Sequence, residues 1–327
     1  MKALLCKKHG TPEDLVIEEV PSLSPGKSNV LVRVHAAGLN FPDTLIIQGK
    51  YQIQPPLPFC PGSEMAGVVL ETGENVTGFK PGDRVFGLTG FGSFAEEVVV
   101  PAHSLTRVPE ALSMQQAAGF SMVYGTSYHA LKQRGRLKEG ETLLVMGAGG
   151  GVGLTAVELG HAMGARVIAA ASSDEKLAAA KSAGADDVIN YTSEPLKETI
   201  KQLTGGKGAD VVYDPVGGEL AEQALRATNW NGRYLVIGFA SGDIPSFPAN
   251  LPLLKGCDIC GVFWGSFTSR EPEANRQNFT ELFSMVASGA ITPKVTRVYP
   301  FTDYAGAFNA LGNRSAVGKL VLDLAQE

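Results

Sequence analysis

Residues 142–164 read TLLVMGAGGGVGLTAVELGHAMG, and this stretch decides the fold. Leu143, Leu144, Val145 and Met146 make a short unbroken apolar run, the pattern of a strand buried on both faces of a parallel sheet. Glycines follow at 147, 149, 150, 151 and 153. From Val152 the apolar residues take helical spacing, with Val152, Ala156, Leu159 and Met163 on one stripe. Strand, glycine turn and helix in that order make a dinucleotide-binding turn. Without Cβ atoms the backbone can approach a pyrophosphate, and the helix N-terminus offers it free N–H groups. The glycines depart from G-x-G-x-x-G and fit G-x-x-G-x-x-G (147, 150, 153) or A-x-x-G-x-G (148, 151, 153). A merely flexible turn is the plain alternative; the flanking strand and helix weigh against it.

Outward from this stretch, strands alternate with helices. Strands are expected at Thr142–Met146, Arg166–Ala170, Asp187–Tyr191, Asp210–Tyr213 and Arg233–Gly238. Ser172-x-x-Glu175 reads as a capping box opening the second helix, and Pro195 suits the first turn of the third. That order specifies an α/β, doubly wound parallel sheet. The first 120 or so residues are instead rich in Val, Gly and Pro. Short strands are expected there at Asn29–His35, Glu64–Glu71, Asp83–Phe86 and Ala95–Val100, with a helical segment from Ser113. After Phe263 the text turns irregular (WGSFTSREPEANR). A helix (Phe279–Ser288), a strand (Val295–Tyr299), a helix (Asp303–Leu311) and a last strand (Gly318–Leu324) follow, and the tail is expected to complete the first domain. The domains are therefore drawn as 1–121 with 264–327, mostly β, and 122–263, a Rossmann domain.

Composition narrows the class. The 327 residues are 44% hydrophobic and 19% charged, with net charge −5. No basic stripe points to nucleic acid. No run approaches the ~18 apolar residues of a spanning helix, and MKALLCKKHG is not a secretory signal, so a cytoplasmic protein without membrane partners is expected. Cys257 and Cys260 form a C-x-x-C with neither a second pair nor a nearby His pair, which reads as structural thiols on a strand.

A strand end about 20 residues past the glycines usually carries an acid when the ribose 2′-OH is bound. Here Val167–Ala171 ends without one, and Ser172, Ser173 and Lys176 follow. Hydroxyls, helix N–H groups and a cation suit a 2′-phosphate, which favours NADPH over NADH. The plain alternative makes Ser172 a cap and leaves Lys176 on a solvated face.

The mostly-β half ahead of a Rossmann half resembles the medium-chain dehydrogenase/reductase superfamily, with a GroES-like first domain. AAGLNFPDTLIIQGKY, PLPFCPGSEMAGVV, GFKPGDRV, GAGGGVG, SSDEK and VINY resemble the quinone oxidoreductase (zeta-crystallin) family. NLPLLKGCDICGVFWG and SAVGKLVL resemble its quinone oxidoreductase-like protein 2 branch. The resemblance implies a reductase passing hydride from NADPH to a quinone or an α,β-unsaturated carbonyl. A 2-enoyl-thioester reductase and a low-turnover NADPH-binding structural or regulatory protein are the alternatives it leaves.

Zinc relatives bind catalytic metal through a Cys, the His of a G-H-E and a later Cys. The corresponding positions here are Asn40, Ser63 and Met122, so no metal is expected. By resemblance, Asn40 contacts the nicotinamide or the acceptor oxygen, and Tyr51 lines the pocket as a proton donor or packs. Asp43 orients Asn40 or is structural. Leu45 stands where the family often has a second Tyr. Thr126, Gly150, Gly151 and Val152 are expected at the phosphates, with Ser172, Lys176 and Tyr191 at the 2′-phosphate. Gly238, Phe239, Phe263, Trp264 and Gly265 end strands where such a sheet places its ligand; core packing is the other reading of Phe263 and Trp264. Arg314 and Lys319 add positive charge or are solvated. Because the strand expected at Asp258–Phe263 is a long apolar edge, a homodimer through that sheet edge is expected.

Overall fold

The computed structural model describes residues 1–325, and the chain divides into two compact units: Met1–Met122 with the chain from Pro293, and Val123–Thr292. In the second unit the described residues form six parallel strands, ordered Asp187–Asn190, Arg166–Ala171, Thr142–Met146, Ala209–Asp214, Thr228–Val236 and Asp258–Gly261. Leu143 to Met146 and Val167 to Ala170 are wholly buried, which is why these strands are unbroken apolar runs. Strand order reverses between Thr142–Met146 and Ala209–Asp214, the point beyond whose carboxyl ends an open α/β sheet binds its ligand.

The irregular segment after Phe263 is helical. Trp264–Arg270 and Pro272–Ser288 are helices of the second unit, so the domain boundary drawn at 264 moves to 292/293. Tertiary contact overrides the weak local pattern. The Trp264 indole is buried, donates to Asn275 Oδ1 (3.0 Å) and lies so close to Gly125 that a Cβ there would meet the ring at 2.2 Å. Phe267 stacks on His129 at 3.9 Å. The Tyr128 hydroxyl and the Lys132 ammonium both donate to Glu281, each at 2.5 Å. Two further boundaries differ: the second helix is capped by Ser173 rather than Ser172, and the edge strand stops at Gly261.

In the first unit the sheet runs Val295–Pro300, Lys319–Asp323, Asn29–Leu39, Glu64–Thr72, Arg84–Leu88, Leu105–Arg107, with Glu97–Pro101 also paired to Asn29–Leu39. The tail thus returns to this unit, Lys319–Asp323 lying antiparallel to Asn29–Leu39. Val32, Val34, Leu39, Met65, Phe94, Phe308 and Leu322 form its core, with Phe94 and Phe308 edge to face at 5.9 Å. No helix among the described residues is long and apolar enough to cross a membrane.

Candidate active site

The glycine turn joins the Thr142–Met146 strand to the Gly151–Ala162 helix, whose N-cap is Gly150. Gly147 turns with φ +59°, open to glycine at little cost. A Cβ on Gly153 would lie 2.2 Å from the Gly147 carbonyl oxygen, so the helix can start this close to the strand only with glycine there. The N–H groups of Gly151, Val152 and Gly153 occupy the first turn, where a helix supplies no acceptor of its own. Ser127 steadies the turn, its hydroxyl donating to the Val152 carbonyl (3.0 Å) and lying 2.9 Å from the Tyr213 hydroxyl. Thr126, half-buried, precedes it on the Ser121–His129 helix.

Lys176 comes to this turn. A Cβ on Gly149 would fall 2.4 Å from both Cβ and Cγ of Lys176, so the lysine stem lies across the glycine. Ser173 Oγ accepts from the Lys176 N–H (3.4 Å), and the Tyr191 N–H donates to the Ala171 carbonyl (3.2 Å). Lys176, Tyr191 and half-buried Ser172 therefore meet at the carboxyl ends of adjacent strands, and Ser173 rather than Ser172 is the cap. The turn fits a pyrophosphate.

Beyond the Ala209–Asp214 strand the sequence DPVGG is held by a residue that sequence inspection missed as an organiser. Asp214 Oδ1 accepts the N–H groups of Val216 (2.8 Å) and Gly217 (3.1 Å), and Oδ2 accepts the Tyr234 hydroxyl. Burial pushes its carboxyl above the ordinary range, against the pull of these three donors. Gly238 and Phe239 run beside this turn, since the Ala240 N–H donates to the Pro215 carbonyl (3.0 Å). Phe263 is 60% exposed and Gly265 lies in the first turn of the Trp264–Arg270 helix. Trp264 is 4% exposed and packs against Gly125, the core-packing reading of this residue. Arg314 is exposed and belongs to the first unit.

The first unit holds a buried charged cluster. Lys319 is 5% exposed and Glu64 1%. The Lys319 ammonium donates to Glu64 Oε1 (2.5 Å), Asn40 Oδ1 (2.6 Å) and the Leu39 carbonyl (3.0 Å). Asn40 Nδ2 donates to the same Glu64 Oε1 (2.9 Å), and Glu64 Oε2 accepts the Met122 N–H (2.9 Å). Lysine only donates and carboxylate only accepts, so these partners fix the Asn40 amide in one orientation. Asn40 is 6% exposed, with its amide turned toward Lys319 and Glu64. Asp43 follows in the Phe41–Ile46 helix, its Oδ2 accepting the Asn40 N–H (2.8 Å). Burial pushes the Asp43 carboxyl up to about 7, offset in part by that N–H and by the Lys319 charge. Half-buried Tyr51 follows in the next loop; burial, then the negative charge of Asp43, push its phenol up. The sequence left Lys319 as either a cleft charge or a solvated one; its pairing with Glu64 was not visible there.

The chain matches the family model described as "Alcohol dehydrogenase GroES-like domain" over residues 26–110 and that described as "Zinc-binding dehydrogenase" over 151–287. It is 40% identical over 329 residues to a quinone oxidoreductase-like protein 2 homolog of Nematostella vectensis, covering 99% of this chain and 89% of the relative. It belongs to the quinone oxidoreductase family of medium-chain dehydrogenases/reductases. Quinone oxidoreductase-like protein 2 of Rattus norvegicus is 39% identical over 324 residues, covering 99% of this chain and 92% of the relative. The crystal structure of Escherichia coli quinone oxidoreductase complexed with NADPH superposes with TM-score 0.92 at 33% identity, covering 99% of this chain and 100% of that one. This family member is an oxidoreductase with a GroES-like and a Rossmann part.

Zinc does not fit the residues at hand. Asn40, Ser63 and Met122 offer an amide, a hydroxyl and a thioether, and an ammonium already holds the Asn40 and Glu64 oxygens. Among the described residues no group of three His, Cys, Asp or Glu is placed to hold a metal.

Proposed function

We propose that the chain is an NADPH-dependent, zinc-independent reductase of quinones or α,β-unsaturated carbonyls. The observation that carries this is the buried Lys319–Glu64–Asn40 cluster, which puts a fixed organic cation among the oxygens of the metal position. A conjugated acceptor suits such a site. Its charge spreads to a distant oxygen that needs a hydrogen-bond donor rather than a Lewis acid.

Gly150, Gly151, Val152 and their neighbours would bind the pyrophosphate, and Lys176, Ser172 and Tyr191 the 2′-phosphate. Gly238, Phe239, Phe263 and Gly265 remain candidates for the rest of the dinucleotide. Bound NADPH supplies a hydride to the electrophilic carbon of the acceptor. The chain's own part is orientation and proton supply. Tyr51, whose raised pKa keeps its O–H intact at neutral pH, is the proposed donor to the acceptor oxygen. The charge of Asp43 is felt at Tyr51, which suits Asp43 to tune that phenol.

The test follows NADPH absorbance with a quinone, a simple enone and an enoyl-CoA, alongside metal content and chelator treatment. Consumption on the first two by metal-free protein supports the proposal. Stoichiometric zinc with loss of activity on chelation, or NADPH bound and never consumed, sinks it.

The proposal includes a homodimer. Asp258–Gly261 pairs only with Thr228–Val236 among the described residues, and Leu253 and Leu254 on the preceding helix are 77% and 67% exposed. A second copy adding its own edge strand would cover both. A monomer in light scattering across micromolar dilutions refutes this part.

A further inference from the structure

We propose that Lys319 is a positioning residue of the reducing site, its ammonium holding the Leu39–Asp43 corner in the one arrangement from which the following loop presents Tyr51. This rests on the reductase proposal above. An ammonium has three N–H donors, and here all three are used, on a backbone carbonyl, an amide oxygen and a carboxylate. The lysine and its acceptors come from separate elements. Leu39 ends the Asn29–Leu39 strand, Asn40 is the N-cap of the Phe41–Ile46 helix, Glu64 starts the neighbouring strand and Lys319 starts the Lys319–Asp323 strand.

Glycines make room for the cluster. A Cβ on Gly38 would stand 2.5 Å from Glu64 Oε1 and from the Ala118 carbonyl oxygen, and one on Gly119 would stand 2.8 Å from Lys319 Cγ. Two positions left bare on two elements indicate a built arrangement rather than a stray buried charge.

The consequence for Asn40 is direct. Its Oδ1 and Nδ2 are taken by Lys319 and Glu64, so its side chain does not cap the Phe41–Ile46 helix; the helix is fixed at that end by the Asp43 carboxylate on the Asn40 N–H. Lys319 therefore acts on Asp43 and the Tyr51 loop through Asn40. It touches no reacting atom in this scheme.

The test compares wild type with Lys319→Ala, Lys319→Arg and the doubly neutral Lys319→Met/Glu64→Gln, which keeps the volume while removing both charges. The readouts are kcat with the best acceptor, the NADPH dissociation constant, and hydrogen exchange of residues 40–51. A displacement of about 1 Å in a reacting group costs about 100-fold in rate, so Lys319→Ala is expected to lose about that in kcat with NADPH affinity within about threefold. Millimolar ethylammonium or the arginine variant restores part of it. Exchange over residues 40–51 speeds up in the alanine variant and slows again with the amine. Should Lys319→Ala fail to fold, the double variant decides: folded and slow supports positioning, folded with wild-type kcat overturns it. Unchanged exchange over residues 40–51 also overturns it, whatever the activity. If wild type consumes NADPH on none of the acceptors, the reductase proposal fails while the exchange readout still judges Lys319.

Discussion

Replacing Lys176 with alanine should convert a cofactor preference into indifference. The lysine stem lies across Gly149, and its backbone N–H is held by the Ser173 cap, so the side chain is anchored at the turn before any ligand arrives. A charge-assisted contact to a phosphate contributes about 1.5–3 kcal/mol, and Coulomb attraction at about 4 Å gives about 1–4 kcal/mol between water and a protein surface. Lys176 is half-buried, so about 2 kcal/mol is the appropriate middle. That corresponds to about 30-fold weaker NADPH, with NADH unchanged because it lacks the 2′-phosphate. Fluorescence titration of both cofactors at fixed ionic strength measures it. Gly149→Ala offers an independent perturbation. Its Cβ would land 2.4 Å from the lysine stem and must displace it, so it should shift preference the same way. If Lys176→Ala binds NADPH within threefold of wild type, or loses NADH equally, the 2′-phosphate assignment is wrong.

Glu64→Gln leaves the Lys319 ammonium buried without its counter-charge and should cost about 3–5 kcal/mol in denaturant unfolding, most of it regained by adding Lys319→Met; additive losses would contradict this. Asp43 has its carboxyl raised from 3.8 to about 7, so between those values the folded protein holds a proton that the unfolded chain has released. Stability should therefore fall as pH rises from about 4 to about 7 and level off above, and Asp43→Asn should lack that slope. Parallel Tm-against-pH curves for the two proteins would refute it. Trp264→Ala empties a buried site against Gly125 and should cost about 3–5 kcal/mol, with faster exchange across Pro272–Ser288; a calorimetric Tm within a degree of wild type would contradict that.

The glycine turn was legible because its geometry is local: an apolar run followed by glycine and a helical stripe says where the Thr142–Met146 strand ends. The Ser172–Glu175 pattern misplaced the cap by one residue because two serines stand side by side and Ser173 is the one that reaches the Lys176 N–H. After Phe263 the stretch Phe279–Ser288 was legible as helix, but Trp264–Arg270 and the opening turns from Pro272 were not, because their Ser, Gly and Pro content argues against helix. Contacts with His129, Tyr128 and Lys132, more than a hundred residues earlier in the chain, decide otherwise. The Lys319–Glu64 pair was illegible for the same reason at greater distance. A lone lysine near a chain end reads as solvated until a fold supplies its three acceptors.

That separation has a consequence for how the protein is made. Glu64 leaves the ribosome 255 residues before the cation that neutralises it. The nascent first unit must keep this carboxylate hydrated, with its sheet unfinished, while the contiguous stretch Val123–Thr292 has already emerged in full and can fold. Closure of the charged interior then waits for the Lys319–Asp323 strand to emerge and dock, so the residues around Glu64 reach their native positions only once that strand is in place.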